Sequence, residues 1–298
     1  MTEYTGKLAV VPPDDLDRLR RKGLEILLYF KEICEKNDLK FYFCGGCCIG
    51  AIRHKGFIPW DDDVDVFMPR DDYEKLKDIW NEQADTERYS YVRTDEHDFT
   101  RLLFAMISDN DTTFIKTRQW DLDTNHGVRI DILPLDGCPN SRFKRKMQIM
   151  WALVYSMFMT REPHESKGKA LKIISKIMLA LAITDKNRYR IAKFAERKMS
   201  KYKIKDCDKI TELCAWYQYM VNEYPKSAFE SQLYVDFEGY KLPIPVGYDD
   251  YLKMAFGDYM QLPPEDKQVA KHDLVYYNLE EGYKKFKGKY YCVKDGNK

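Results

Sequence analysis

The sequence predicts an α+β protein in which a mixed sheet is flanked by helices and followed by a mostly helical C-terminal half. Two observations lead to this prediction. Short runs of alternating apolar side chains, typical of strands, recur up to about residue 133, whereas helical periodicity prevails after Pro139. A chain of 298 residues with 44% hydrophobic side chains can bury a substantial core. We therefore predict two regions, residues 1–140 and residues 141–298.

The first region is expected to alternate helices and strands. Asp14 follows a Pro-Pro pair and is predicted to cap the first helix. Gly45 and Gly46 are predicted to break a strand and to precede a helix. The predicted helices cover residues 14–35, 47–55 and 72–83. The predicted strands cover residues 41–43, 63–68, 89–93, 101–108, 112–116 and 128–133.

The second region is expected to consist mainly of helices. These are predicted over residues 141–160, 168–183, 187–202 and 209–219. A hairpin over residues 233–244, a helix over residues 249–256 and a break at Pro263-Pro264 follow. The chain ends in a tail rich in lysine and tyrosine.

Composition narrows the class of protein. The 49 basic and 48 acidic residues leave a formal charge of +1, so no global field would attract the chain to nucleic acid. The eight cysteines, in a chain without a secretory leader, are expected to be reduced thiols. The longest apolar stretches fall short of the ~20 residues that span a bilayer. We therefore expect a cytoplasmic protein with no transmembrane helix and no nucleic-acid partner.

Four carboxylates are crowded at the start of the strand predicted over residues 63–68, namely Asp61, Asp62, Asp63 and Asp65. Side chains alternate across a strand, so Asp63 and Asp65 project from one face and can reach one cation. Two such charges about 4 Å apart repel by ~4 kcal/mol at an effective dielectric constant near 20. Bound Mg²⁺ or Mn²⁺ would relieve this repulsion, because hard cations prefer carboxylate and phosphate oxygens.

Two other interpretations fit an acidic run of this kind. A solvated turn fits because aspartates commonly occupy turns. A calcium-binding loop of the EF-hand type, with Asp61 at position 1, would need Gly at position 6 and Glu at position 12, where the sequence has Val66 and Asp72. The calcium loop is therefore excluded, and the solvated turn stays open.

The glycine pair upstream favours a phosphate site. Gly45 and Gly46 let the backbone approach a phosphate closely, and the following helix offers free N–H groups and the positive end of its dipole. A third acid, Asp131, lies in the alternating strand over residues 128–133. We expect it to complete the metal site or to accept a proton from an attacking hydroxyl.

Three basic residues lie between the glycines and the acids, namely Arg53, His54 and Lys55. Any of them could neutralise the charge of a donor phosphate, Arg53 by a bidentate contact. A solvated helix end is the alternative interpretation for each of them. Asp136 is predicted to lie in a turn before Gly137 and to have a structural role.

Three motifs resemble the LicD family, which includes bacterial phosphocholine transferases and is related to fukutin and fukutin-related protein. The first motif is Gly45-Gly46 with the run GAIRHKGFIPWDDDVD over residues 50–65. The second is IDILPLD over residues 130–136, and the third is FGDYM over residues 256–260 with Pro263-Pro264. Cys47-Cys48 departs from the family, whose members more often carry Thr or Leu there.

The resemblance implies a nucleotidyltransferase-like fold, with residues 1–140 as the catalytic core and residues 141–298 completing the cleft on the acceptor side. It implies a LicD-like phosphotransferase that moves phosphocholine or a polyol phosphate from a CDP-linked donor to a hydroxyl of a cell-surface glycan or its lipid-linked precursor, releasing CMP. The implied metal-binding and catalytic residues are Asp63, Asp65 and Asp131. The candidate substrate-binding residues are Gly45, Gly46, Arg53, His54, Lys55 and Asp62.

Other functions are compatible with the same acids. A nucleotidyltransferase that modifies a small molecule or glycan with a nucleoside triphosphate would use all three, and an inactive scaffold protein would retain the fold. A metal-dependent glycosyltransferase fits poorly, because such an enzyme would explain neither the glycine pair nor the strand that carries the third acid. The helix predicted over residues 169–183 carries lysines on one side. This pattern fits either peripheral contact with the inner face of the cytoplasmic membrane or an ordinary core helix.

Overall fold

The computed structural model of the chain describes residues 6, 8–162, 179–180, 182, 184–269 and 273–293. In the first half, helices and strands alternate as predicted. Its elements are α1 (Pro13–Lys36), β1 (Tyr42–Phe43), α2 (Gly45–Arg53), β2 (Val64–Pro69), α3 (Arg70–Gln83), β3 (Tyr89–Val92), β4 (Ala105–Asp109), β5 (Thr113–Lys116) and β6 (Val128–Cys138). The cap predicted at Asp14 is wrong: Pro12 is the N-cap residue, and Asp14 lies inside the first turn of α1.

The second half mixes helices with short strands. Its elements are α4 (Arg142–Thr160), α5 (Asp185–Met199), β7 (Lys209–Glu212), α6 (Tyr217–Met220), β8 (Tyr224–Pro225), β9 (Gln232–Phe237), β10 (Tyr240–Pro245), α7 (Tyr248–Phe256) and β11 (Leu274–Asn278). The predicted hairpin and the helix after it are confirmed as β9–β10 and α7. These elements together confirm the α+β class.

Two of the helices predicted in this half are not confirmed. The helix predicted over residues 209–219 is wrong, because Ile210 and Thr211 are β-branched and pair with β6 as strand β7. Only the short helix α6 follows it. The helix predicted over residues 168–183 lies almost wholly outside the described residues. Among the residues that are described, no helix is both long enough and apolar enough to cross a bilayer.

The main sheet has the strand order β1-β2-β6-β4-β3, with β7 and β8 continuing beside the end of β6. β2 and β6 are parallel, and the other neighbours in this sheet are antiparallel. The long strand β6 pairs with β4 along its first half and with β7 at its end. Strands from before and after residue 140 therefore share one sheet, and the division into two regions at that residue stays a prediction.

The two faces of β2 meet different parts of the chain. Val64 and Val66 are buried on the side of α1, where a Cβ on Gly23 would lie 3.2 Å from Val64 Cγ2. On the other face, Phe67 is buried by ring contacts with Phe229 and Tyr251. The face predicted to be acidic is therefore acidic only at the start of the strand.

A buried ion cluster joins the sheet to the helical pair α4–α5. Arg70 makes two hydrogen bonds to the carboxylate of Asp136, at 2.8 and 2.7 Å, and one at 3.3 Å to Glu196 of α5. All three side chains are at least nine-tenths buried. Asp136 thus lies in strand β6 rather than in the predicted turn, and its ion pair with Arg70 gives it a structural role.

Candidate active site

Gly45 and Gly46 begin helix α2 directly. The turn predicted between the strand and the helix is therefore reduced to one residue, Gly45. Its φ is +50°, in the left-handed region, which glycine adopts without strain. The Gly45 N–H donates a hydrogen bond of 2.9 Å to the hydroxyl of Tyr251 in α7. The second half of the chain thus holds the start of α2 in place.

The side chain of Cys47 joins α2 to β2. Its thiol donates a hydrogen bond to the Asp63 carbonyl at 3.3 Å and accepts one from the Asp65 N–H at 3.4 Å. Burial, followed by the charge of Asp65, raises the pKa of this thiol well above its ordinary value, so it stays a neutral donor. Cys47, where the sequence departs from the family pattern, therefore connects α2 to β2 through its thiol.

Asp65 and Asp131 lie side by side on neighbouring strands. They are paired in the parallel register of β2 and β6, and both side chains are partly buried. Burial, followed by the charge of Asp131, raises the pKa of Asp65 well above its ordinary value. Two carboxylates this close favour a bound cation or a shared proton.

The loop before β2 brings three further carboxylates together. One oxygen from each of Asp61, Asp62 and Asp63 lies within 4.8 Å of the others. Burial, followed by the charge of Asp63, raises the pKa of Asp61 to about 6 and that of Asp62 to about 7. Asp63 is the most exposed, with 55% of its side chain accessible to solvent.

Asp61, which was not among the predicted site residues, packs against the start of α2. A Cβ on Gly46 would lie only 2.3 Å from Asp61 Oδ2. Glycine at this position therefore lets the Asp61 carboxylate lie against the start of the helix, and a larger residue would displace that carboxylate. The run of aspartates in the sequence could have identified Asp61 as a site residue. Its contact with Gly46 could not be predicted from the sequence.

Three cationic side chains from elsewhere in the chain surround the acids. Lys116 Nζ of β5 lies 3.2 Å from Asp63 Oδ1, and Arg129 Nε lies 3.0 Å from Asp131 Oδ1. Arg20 of α1 donates hydrogen bonds of 2.9 Å to the Asp61 carbonyl and 2.7 Å to the Pro59 carbonyl. Burial alone would lower the pKa of Lys116, but the charges of Asp63, Asp131 and Asp62 together outweigh it and the pKa is raised.

The predicted phosphate-binding residues Arg53, His54 and Lys55 lie at the opposite end of α2 from the glycines. Arg53 donates hydrogen bonds to His54 Nε2 at 2.9 Å and to the Tyr259 carbonyl at 2.9 Å. Burial, followed by the charge of Arg53, lowers the pKa of His54, so its imidazole is neutral at pH 7. The structure thus gives Arg53 partners in the loop after α7, and a role in phosphate binding stays a prediction for all three.

The donor set fits a hard divalent cation. It consists of carboxylate oxygens alone, which Mg²⁺ and Mn²⁺ prefer. Asp131 Oδ1 is buried and has no hydrogen-bond partner among the described residues, although Arg129 is ion-paired with it. A metal or a hydroxyl proton that reached this oxygen would compete with the charge of Arg129. The metal itself stays a prediction.

Comparisons with known proteins define the class to which this fold and site belong. Residues 38–162 match the family model described as LicD/FKTN/FKRP, nucleotidyltransferase domain. The chain is 31% identical over 259 residues to the lipopolysaccharide cholinephosphotransferase LicD of Haemophilus influenzae, a match that covers 84% of this chain and 92% of that protein. It is 26% identical over 166 residues to the ribitol 5-phosphate transferase FKRP of Mus musculus, covering 54% of this chain and 31% of that protein.

These matches define a transferase with a nucleotidyltransferase domain. The chain belongs to the LicD family. The resemblance and the enzyme class expected from the sequence, a LicD-like phosphotransferase, are thereby confirmed.

Proposed function

We propose that the protein transfers a phospho-alcohol, either phosphocholine or a polyol phosphate, from a CDP-linked donor to a hydroxyl of a cell-surface glycan or its lipid-linked precursor, releasing CMP. The names of two relatives, a cholinephosphotransferase and a ribitol 5-phosphate transferase, support transfer of a phospho-alcohol. The structural observation that carries the proposal is the pairing of Asp65 with Asp131 beside the Asp61–Asp63 loop. A lipid-linked acceptor would be met at the inner face of the cytoplasmic membrane.

Asp63, Asp65 and Asp131 would hold Mg²⁺ or Mn²⁺, which would supply positive charge against the donor diphosphate and the departing CMP. The start of α2, with Gly45 and Gly46, would present backbone N–H groups to the donor phosphates. Asp62 lies in the same loop and would face the donor.

Two basic side chains would position the acids, and the third acid, Asp131, would take part in proton transfer. Lys116 and Arg129 hold Asp63 and Asp131 by ion pairs and would balance their charge. The acceptor hydroxyl would attack the phosphorus of the phospho-alcohol in line with the bond to CMP, which breaks. Asp131 Oδ1 is the oxygen that would receive the hydroxyl proton where it is not a metal ligand.

The experiment that tests this function measures CMP release from CDP-choline, CDP-ribitol, CDP-glycerol and CDP-ethanolamine, each with and without Mg²⁺. We expect Mg²⁺-dependent release from one of these donors. Asp63→Asn should lower the turnover at least about 100-fold with the fold intact, because the metal loses a charged ligand. The matched control is Asp71→Asn, an exposed aspartate at the start of α3.

Equal CMP release by wild type and Asp63→Asn would contradict the assignment of the acids. The alternative is tested with a labelled nucleoside triphosphate in place of the CDP-alcohol. Labelled nucleotide that joins the acceptor, with release of pyrophosphate, would identify a nucleotidyltransferase.

A further inference from the structure

A second cavity lies at the edge strand β3, away from the aspartate loop. Its volume is about 560 Å³. The residues that line it include Ser90, Val92, Asp98, Asn125, Tyr283 and Tyr291. They come from β3, from the loops that flank β4 and β5, and from the chain after β11. Neither the acidic site nor its donor phosphates account for this cavity.

The strand registers place this cavity on the face of the sheet that carries the third acid. Asp131 of β6 pairs with Met106 of β4, and Met106 pairs with Val92 of β3. Directly paired residues point to the same face, so Val92 shares the face of Asp131. The strands β6 and β3 are two spacings apart, or about 10 Å. The cavity and the third acid therefore lie two strands apart, on the same face of the sheet.

Polar side chains also lie on this face between the cavity and the third acid. Arg129, Ser108 and Ser90 are paired across β6, β4 and β3, and Arg129 shares its face with Asp131. The Ser108 hydroxyl donates a hydrogen bond of 2.6 Å to Asn125 Oδ1, which brings Asn125 over this face.

Asp98 supplies a hydrogen-bond acceptor with no partner. Its Oδ2 accepts a hydrogen bond of 3.2 Å from the Thr124 hydroxyl. Its Oδ1 is buried and has no hydrogen-bond partner among the described residues. A buried carboxylate oxygen left in this state is unfavourable, and a hydrogen-bond donor that reached it from the cavity would relieve this cost. The donor would be an O–H or N–H group of a ligand.

The charged residues that line the cavity favour a neutral ligand. Lys284 and Lys287 line the cavity together with Asp98 and Asp123, and Lys287 is ion-paired with Asp123. The lysines disfavour a quaternary ammonium, and the carboxylates disfavour an anion. The partly exposed ring of Tyr283 offers apolar surface beside these polar groups. Hydroxyl-rich molecules with apolar C–H faces, namely sugars, match both kinds of surface.

We propose that this cavity binds a sugar ring of the acceptor, with the sugar hydroxyls donating to Asp98 and the ring lying against Tyr283. The role as acceptor site rests on the proposed function, whereas sugar binding by the cavity does not. The sugar would be held on the same face as Asp131, which directs a more distant hydroxyl of the same glycan toward the acids.

The test measures, by ligand-observed NMR, the binding of four methyl glycosides to the full-length protein, namely those of glucose, galactose, mannose and N-acetylglucosamine. Choline is measured in the same way, as the alternative kind of ligand. At least one glycoside should bind saturably. Asp98→Asn should weaken it about tenfold, because a charged acceptor is lost. Tyr283→Leu should weaken it as well, which provides a second variant if the first is poorly folded. The matched control Asp78→Asn, on the exposed side of α3, should bind as wild type does.

The sugar site is overturned if none of the four glycosides binds, if choline binds in their place, or if both cavity variants, checked by thermal unfolding, bind as wild type does. The CMP-release assay fails or succeeds separately. A protein that binds a glycoside but releases no CMP from any donor would remove the proposed function and the acceptor role, and it would leave the sugar site in place.

Discussion

At the scale of single residues, the candidate site is a group of carboxylates that water solvates poorly. The pKa of Asp61 is raised to about 6 and that of Asp62 to about 7, in both cases by burial first and by the charge of Asp63 second. The folded protein therefore binds more protons than the unfolded chain between about pH 4 and about pH 7. It follows that the contribution of these groups to the free energy of unfolding falls as the pH rises through that window.

A divalent cation would compete with these protons, so its stabilising effect should grow with pH. We expect the shift in thermal unfolding temperature caused by Mg²⁺ to be larger at about pH 8 than at about pH 5. Mg²⁺ at about 100 times its Kd would add ~2.7 kcal/mol at the higher pH. Differential scanning fluorimetry with and without Mg²⁺ measures this, with Asp62→Asn as the variant that should flatten the pH dependence. An equal Mg²⁺ shift at both pH values would argue against a metal at these acids.

The residues around the acids show what local sequence can and cannot predict. Strand alternation was enough to place Asp131 on the face of β6 opposite Ile130 and Ile132, and the same rule could have shown that Arg129 shares its face. Lys116 and Arg20 reach the acids from β5 and α1, far away in the sequence. No local pattern marks such contacts, because they depend on how the elements pack.

At the scale of elements, most segments were predictable, including the four-residue strands β3 and β5, but one short strand was not. α1 and the hairpin β9–β10 lie close to their predicted bounds. β7 was mistaken for a helix, because a four-residue strand in the sheet is stabilised by its partner β6 rather than by its own periodicity. The close contact between α2 and the acidic loop is likewise a tertiary feature.

That contact gives a prediction for Gly46→Ala. The new methyl group would meet Asp61 Oδ2, so the Asp61 side chain must move, whereas alanine itself is well tolerated in a helix. We expect turnover to fall by about one to two orders of magnitude with an unchanged or slightly higher unfolding temperature. CMP release and thermal unfolding measure the two effects.

A double-mutant cycle with Asp61→Ala tests the cause. If Gly46→Ala acts by displacing Asp61, the double variant should be no less active than Asp61→Ala alone. Losses of activity that simply add would show that Gly46 acts through another contact.

At the scale of the whole molecule, the buried ion cluster holds the helical pair to the sheet. Arg70→Leu would leave the buried carboxylate of Asp136 without its ion-pair partner, whereas Glu196 would keep Arg93 and Lys193. We expect a loss of about 3–5 kcal/mol in the free energy of unfolding, measured in urea. Lys203→Ala, which removes an exposed ion pair with Asp71, should change it by only about 0–1 kcal/mol. Similar losses for both variants would show that the cluster contributes little.

The pairing of β5 with β11 bears on any attempt to isolate the catalytic part. Residues 38–162, which match the family model, include β5 and its Lys116 but exclude both β11 and α1. Excising that segment would strip β5 of its hydrogen-bonded neighbour and would release the aspartate loop from Arg20. The exposed backbone edge would then be open to intermolecular pairing and aggregation. A shortened enzyme would have to keep the two ends of the chain, although they lie outside the segment that defines the family.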